Sequence, residues 1–304
     1  MLDRIPAAPR SDRGAFAAIA LASMLWGFSF LFGKVALTEL TASQVILGRF
    51  LIASLILLPQ ALRLLNRIPK SDVLRFILSG VLMVPVMMWT QFEGLARTSA
   101  TSAALIIATI PVLMALAAVV FDRERLGAKG WIAVALSTLG AACLVGTPGP
   151  GSAVAGDLLV LASTLAAAGW VIFTRRLLQR YPSIAVTALC ILFGTVAMVP
   201  ITFWRDGLPS LHLHAGTWGA LLALGVGCSA LTYVLWNWGL QHVPASRAGV
   251  FVNLEPLVGA LLGITVLREP LGPGTLAGGL LIIVAALLTT GAPAEKPGPE
   301  PSPD

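Results

Sequence analysis

Charge is what this chain has least of. Only 11% of its 304 residues are Asp, Glu, Lys or Arg, under half of the roughly 25% usual for a soluble domain. Apolar residues make up 57% and the mean hydropathy is +0.88. That balance excludes an ordinary water-facing surface and puts the chain in a bilayer. Cysteine is sparse too: Cys143, Cys190 and Cys228 stand singly in separate apolar runs, without the paired spacing of a disulfide framework or a thiolate metal site. Of the three histidines, His212 and His214 have a spacing that could grip a metal, yet no acidic or Cys partner stands near them in sequence. They read as a solvated loop, and neither cofactor nor metal is expected.

Catalytic and energy-coupling motifs are missing as well. The stretch 27–34 ends in Gly-Lys, but it has five residues between its glycines and Val35 after the lysine, so it is no phosphate-binding loop. Ser229 lies in an apolar run with no histidine at its depth to serve as a base. Asp157 has no second intramembrane Asp, as an aspartyl protease would need. Basic residues are scattered over many loops instead of lining one face, which excludes a nucleic-acid groove. The chain is not expected to be an enzyme.

Long apolar runs are what it has in abundance. A spanning helix needs about 20 mostly apolar residues, and ten such runs follow one another at about 14–36, 41–62, 72–95, 99–121, 128–146, 157–177, 184–204, 217–239, 246–267 and 275–290. They are too long and too continuously apolar for barrel strands, so the fold class is all-α integral membrane. The first run follows a basic start and contains Ala20-Leu21-Ala22, but apolar character continues through Phe32. It therefore reads as a retained span and not as a signal peptide.

The chain repeats itself. Arg123-Glu124-Arg125-Leu126-Gly127 returns as Arg268-Glu269-Pro270-Leu271-Gly272, 145 positions later, and in the same register Gly94 falls on Gly239, Ala100 on Ala245, Pro111 on Pro256 and Gly146 on Gly291. Two copies with an odd number of spans must lie upside down relative to each other. The expected organisation is an N-terminal segment 1–13, a first five-span repeat 14–146, a Pro- and Gly-rich loop 147–156, a second five-span repeat 157–291 and a Pro-rich, disordered tail 292–304. With both termini cytoplasmic, fifteen of the 20 Lys and Arg face inside and four outside, with Arg49 in a span. This is the positive-inside pattern.

Ionisable groups at membrane depth are rare and usually functional. Glu255 lies near the middle of the ninth run, Arg49 several residues into the second and Glu93 near the outer end of the third. Glu255 faces the solute, or it has a structural role, pairing with Arg49 or capping broken backbone. Pro111 and Pro256 occupy equivalent places in runs four and nine. Each frees a backbone carbonyl, producing either a hinge beside a substrate site or a packing kink. Aromatic and amide side chains suited to a small amphipathic solute fall in the same runs: Trp26 and Phe30, Trp89, Trp170, then Ser229, Tyr233, Trp236 and Asn237 at helical spacing, and Asn253. Trp204, Trp218 and Trp238 are instead assigned to the interfacial aromatic belt.

These residues carry a resemblance. Trp26-Gly27 followed by Lys34, Arg49-Phe50, Thr98-Ser99-Ala100 leading into Pro111, Leu254-Glu255-Pro256 and the two Arg-Glu-x-Leu-Gly connections resemble the ten-helix drug/metabolite transporter superfamily of the EamA type over nearly the whole length. The resemblance implies a basket of ten helices, with a central cavity built mainly from spans 1, 3, 4, 6, 8 and 9 and with spans 5 and 10 at the periphery. Ala166 departs from the pattern, since the second copy often has Trp there; Trp170 lies one turn away. Amino-acid exporters, the aromatic amino-acid branch in particular, are the nearest resemblance. The implied protein is a bacterial inner-membrane secondary transporter that exports amino acids and related small metabolites by alternating access. A broad drug or purine-type metabolite exporter is the alternative, and a membrane enzyme or non-transporting scaffold is the rival of another class. Its expected partners are a small-molecule solute and the lipid bilayer, with no obligatory protein partner and the monomer as the working unit.

Overall fold

An apolar run that meets no water has to satisfy its backbone groups internally, and a helix does so within a single segment. The computed structural model describes residues 13–65, 67–110, 112–113, 127–146, 153–242, 251 and 254–290, and among these every regular element is a helix. In chain order they are α1 (Arg13–Ala36), α2 (Ala42–Leu65), α3 (Lys70–Leu95), α4 (Ala100–Ile107), α5 (Ala128–Gly146), α6 (Val154–Leu178), α7 (Ser183–Asp206), α8 (Ala215–His242), α9 (Leu254–Thr265) and α10 (Pro273–Thr290). Six of them, α1, α2, α3, α6, α7 and α8, are long and apolar enough to cross a membrane. They match six of the expected spans to within a few residues. Pro111, Asn253, residues 123–126 of the first Arg-Glu-x-Leu-Gly stretch, 147–152 of the divider and the segments 1–12 and 291–304 lie outside the described residues.

Two of the long helices change pitch midway. In α3 the stretch Leu82–Met88 takes the wider π geometry, with Pro85 inside it. Proline has no N–H and its ring displaces the carbonyl one turn back, so the regular ladder cannot run through it. In α8 the π stretch is Ala223–Leu231, and the Thr232 hydroxyl donates to the Gly227 carbonyl at 2.7 Å. Moved by the repeat offset of 145, Leu82–Met88 becomes 227–233 and overlaps the second π stretch.

Glycines set the helix contacts. A Cβ on Gly94 of α3 would come within 2.7 Å of the Gly156 carbonyl oxygen and 2.6 Å of the Val160 side chain in α6. One on Gly239 of α8 would come within 2.3 Å of Ile19 in α1 and 3.3 Å of the Ala15 carbonyl oxygen. Likewise Gly80 of α3 abuts Gly194 of α7, and Gly225 of α8 abuts the Arg49 carbonyl of α2. The residues of each second pair are those of the first with the offset of 145 added to one partner and subtracted from the other: 94 to 239 and 160 to 15, 80 to 225 and 194 to 49. Contacts across the two halves therefore come in exchanged pairs. The main apolar core lies between them and includes Phe30, Phe50, Phe92, Trp170 and Tyr233.

Polar clusters close the two ends. At one, Asp72 accepts the Tyr181 hydroxyl at 2.5 Å and Arg75 at 2.6 Å, with Arg180 at 3.7 Å. Burial, then the bond to Asp72, pushes the Tyr181 hydroxyl up to about 12, so it remains a donor at neutral pH. At the other end Glu269, in the connection between α9 and α10, caps α4: its carboxylate accepts the Ala100 and Thr101 N–H groups at 2.7 and 2.8 Å and the Thr101 hydroxyl at 2.8 Å. Arg268 just before it has φ 53°, and the Glu269 N–H donates to the Gly263 carbonyl at 3.0 Å. This left-handed termination of α9 turns Glu269 towards α4. Lys34 donates to the Thr98 carbonyl, and the Thr98 hydroxyl donates to Asp157.

Candidate functional site

Arg49 decides where the interior of the bundle is polar. It is 1% exposed, and burying a guanidinium is costly unless its donors are met. Nε donates to the Ser229 hydroxyl at 2.8 Å and Nη2 to the Cys228 carbonyl at 2.9 Å. Both acceptors belong to the π stretch of α8. The guanidinium also lies over the rings of Phe50 and Phe92, 5.3 and 5.2 Å from their centroids, an arrangement that favours a cation. Nη1 has no partner among the described residues. Ser229, expected as a solute ligand, is held by Arg49 instead.

Next to Arg49 stands an aromatic cluster centred on Tyr233. The ring of Trp26 lies 5.4 Å from it, that of Trp170 5.7 Å and that of Phe50 6.2 Å, and Trp236 joins through Trp26 at 5.1 Å. Helices α1, α2, α6 and α8 thus meet at one point. Trp26 reaches it because Gly27 lets α1 approach α9: a Cβ there would be 2.7 Å from the Glu255 carbonyl oxygen. Asn237, one turn beyond Tyr233, donates to the Thr187 hydroxyl at 2.8 Å, while its own carbonyl oxygen is buried without a partner.

Glu255 is 8% exposed and, among the described residues, makes neither a hydrogen bond nor an ion pair. Arg49 is within electrostatic reach of it, as is Tyr233, but the sequence-based alternative of a direct Arg49–Glu255 pair is not what the structure has. Each unmade bond at a buried polar group costs about 1–3 kcal/mol. The cluster holds several: the indole N–H groups of Trp26 and Trp170, the Tyr233 hydroxyl and Arg49 Nη1.

Other expected site residues lie elsewhere. Trp89 and Glu93 sit at the capped end, where the Trp89 N–H donates to Glu93 at 3.2 Å, Arg205 pairs with Glu93 at 3.0 Å and the Arg205 guanidinium covers the Trp89 ring at 5.1 Å. With Arg97 also bonded to it, Glu93 belongs to a surface ion network. Phe30 packs at Gly259 of α9, where a Cβ would meet its ring at 2.6 Å and Ala104 of α4 at 2.8 Å. Pro256 is buried in the first turn of α9. His212 and His214 lie in an exposed loop, as expected, with the His214 side chain 90% exposed; what the sequence hid is an acidic partner, Glu39 of the α1–α2 connection, 3.0 Å from the His214 imidazole and accepting the His214 backbone N–H as well. Bonds from Thr217 first, then from His214, hold the Glu39 carboxyl below its usual range. Among the described residues no three His, Cys, Asp or Glu form a metal-capable group. A cavity of about 510 Å³ lined by Gln60, Arg63, Arg67, Pro182 and Ile184 opens at the end of α2, and none of these residues belongs to the aromatic cluster.

Sequence reasoning missed Phe50 and Phe92 as a bed for Arg49, Thr187 as the partner of Asn237, and Glu269 as a cap. Arg49-Phe50 and the repeated Glu were visible as motif positions. Their roles depend on partners from other helices, Phe92 being 43 positions from Arg49, Thr187 50 from Asn237 and Ala100 169 from Glu269.

A model of the EamA-like transporter family matches the chain twice, over residues 13–146 and 154–291. A transporter of Archaeoglobus fulgidus is 28% identical over 278 residues, covering 90% of this chain and 96% of its own length. The transporter YetK of Bacillus subtilis is 24% identical over 295 residues, covering 90% and 88%. The biotin transporter of Escherichia coli K12 is 24% identical over 277 residues, covering 89% and 91%. A solved crystal structure superposes with a TM-score of 0.65 at 19% identity, covering 92% of this chain and 98% of the other, a likeness of fold.

Proposed function

The chain belongs to the EamA-like transporter family, and from that premise, which makes it a multi-pass membrane transporter, we propose that it exports amino acids, aromatic ones included, and related small metabolites across a bacterial inner membrane. It does so by alternating access, as a ten-span protein of two inverted five-span repeats with both termini in the cytoplasm, acting without a protein partner or cofactor. Support for the inversion comes from the exchanged glycine contacts, the π stretches at equivalent depth and the two separate family matches.

The observation that carries the solute class is Glu255, a buried carboxylate without a partner among the described residues, on the helix that α1 touches at Gly27 and within electrostatic range of Arg49 and Tyr233. A solute bearing an amino group and an aromatic or aliphatic body meets both surfaces. The experiment is flux of a radiolabelled panel through the purified protein in liposomes: amino acids, purines, cationic drugs and biotin. Amino acids moving unchanged at the highest rate is the expected result. Movement of purines or drugs alone would select the alternative exporter, and chemical conversion of the solute would select an enzyme. Biotin is in the panel as a second reading because of the similarity to the biotin transporter.

A further inference from the structure

Around Tyr233 four of the orphan groups can donate, against a single orphan carbonyl oxygen, that of Asn237 one turn away. Trp26 Nε1, Trp170 Nε1, the Tyr233 hydroxyl and Arg49 Nη1 are buried without partners among the described residues. Arg49, Tyr233 and Trp170 are 1%, 1% and 4% exposed. Indole N–H and guanidinium N–H groups donate and never accept, so three of the four cannot satisfy one another, and the single hydroxyl can serve only one or two of them. The rings of Trp26 and Trp170 both contact Tyr233, and the Arg49 guanidinium lies over Phe50, whose ring is 6.2 Å from that of Tyr233. One acceptor-rich, negatively charged group entering between them would meet several donors at once. A carboxylate has that character: it accepts only, offers about four lone-pair sites and forms its strongest bonds with a guanidinium.

We propose that the transported solute must carry a carboxylate, which seats against Arg49 Nη1, the Tyr233 hydroxyl and the indole N–H groups of Trp26 and Trp170. The inference rests on the transport reading above and narrows it: purines and simple amines lack the group that this corner requires. Glu255 then reads the opposite, cationic end of the solute. A carboxylic acid without an amine should therefore still bind, and an amine without a carboxylate should not.

The test measures binding to the full-length protein in detergent by calorimetry, using phenylalanine, phenylpropionate, which lacks the amine, and phenethylamine, which lacks the carboxylate. Phenylalanine and phenylpropionate are expected to bind and to compete, with phenethylamine weaker by on the order of tenfold or more. Arg49 also holds α8 through Ser229 and Cys228, so the informative variants are Tyr233→Phe and Trp170→Phe, which keep the ring packing. Each should weaken both carboxylates by about tenfold and leave phenethylamine unchanged, in protein that elutes as the native species. If phenethylamine binds as tightly as phenylalanine, or both variants keep native carboxylate affinity, the donors are met by other means. The inference then falls while the transport reading stands. If only solutes without a carboxylate bind and cross liposomes, both fall.

Discussion

Glu255 and Glu39 are carboxylates of the same charge in opposite settings. Glu39 accepts bonds from Thr217 and His214 at the surface, whereas Glu255 is buried and, among the described residues, makes no bond. Glu255→Gln keeps the shape and removes the charge. Export of amino acids is expected to fall by on the order of tenfold or more, the scale of one lost charge-assisted bond, with folded yield unchanged; native flux would leave the aromatic and amide groups as the whole site. For Glu39 the folded state lowers the carboxyl below its ordinary value. Its tether to the start of α8 is thus complete at neutral pH and is lost as pH falls through the lowered value. Exchange at the His214 amide should stay slow down to about pH 4, near the ordinary Glu value, and quicken below it, while Glu39→Gln should remove that pH dependence. Arg49 and Glu255 were legible in sequence because charge at membrane depth is conspicuous. The tether was not, because a surface Glu has no periodicity to betray a partner 175 positions away.

Helices come together here at glycines and are fastened at their ends by capping side chains. Gly94→Ala and Gly239→Ala each push a methyl into a neighbouring helix, at 2.7 Å from the Gly156 carbonyl oxygen and 2.3 Å from Ile19 respectively. Overpacking of this kind costs about 1–3 kcal/mol, so both variants should unfold at lower temperature and to a similar degree. Native melting in either would remove that contact from the account. Glu269→Ala deletes three bonds to the start of α4. A lost helix cap costs about 0.5–2 kcal/mol, and exchange at the Ala100 and Thr101 amides should rise with the fall in stability. Six long helices were readable from run length alone, since a bilayer demands about 20 apolar residues of each. The π stretches were not: Pro85 sits inside the one in α3, but the matching stretch in α8 has no proline, and the bonds found there, Arg49 to Ser229 and Cys228 and Thr232 to Gly227, join residues that no local pattern pairs.

For the molecule as a whole, the sequence period anticipated more than any single element could. An offset of 145 read from Arg-Glu-x-Leu-Gly also relates the α3–α6 contact to the α8–α1 contact, because one packing solution has been used twice. What the period could not supply is which side chains meet at the centre: Trp89, Glu93 and Phe30 have the right types and depth, yet the turns they occupy aim them at an end network and at helix packing. Ten spans with inverted halves predict that reporter fusions after Asn66 and Gly151 report cytoplasm and exterior; the same side for both would contradict the inversion. The central claim is a carrier whose two ends open in turn around one buried site, and solute counterflow tests it most directly. Liposomes containing the purified protein are loaded with unlabelled phenylalanine and diluted into a trace of labelled phenylalanine. Alternating access predicts a transient rise of label inside above its equilibrium level, absent in protein-free liposomes, whereas label that only equilibrates, without overshoot, would contradict the account.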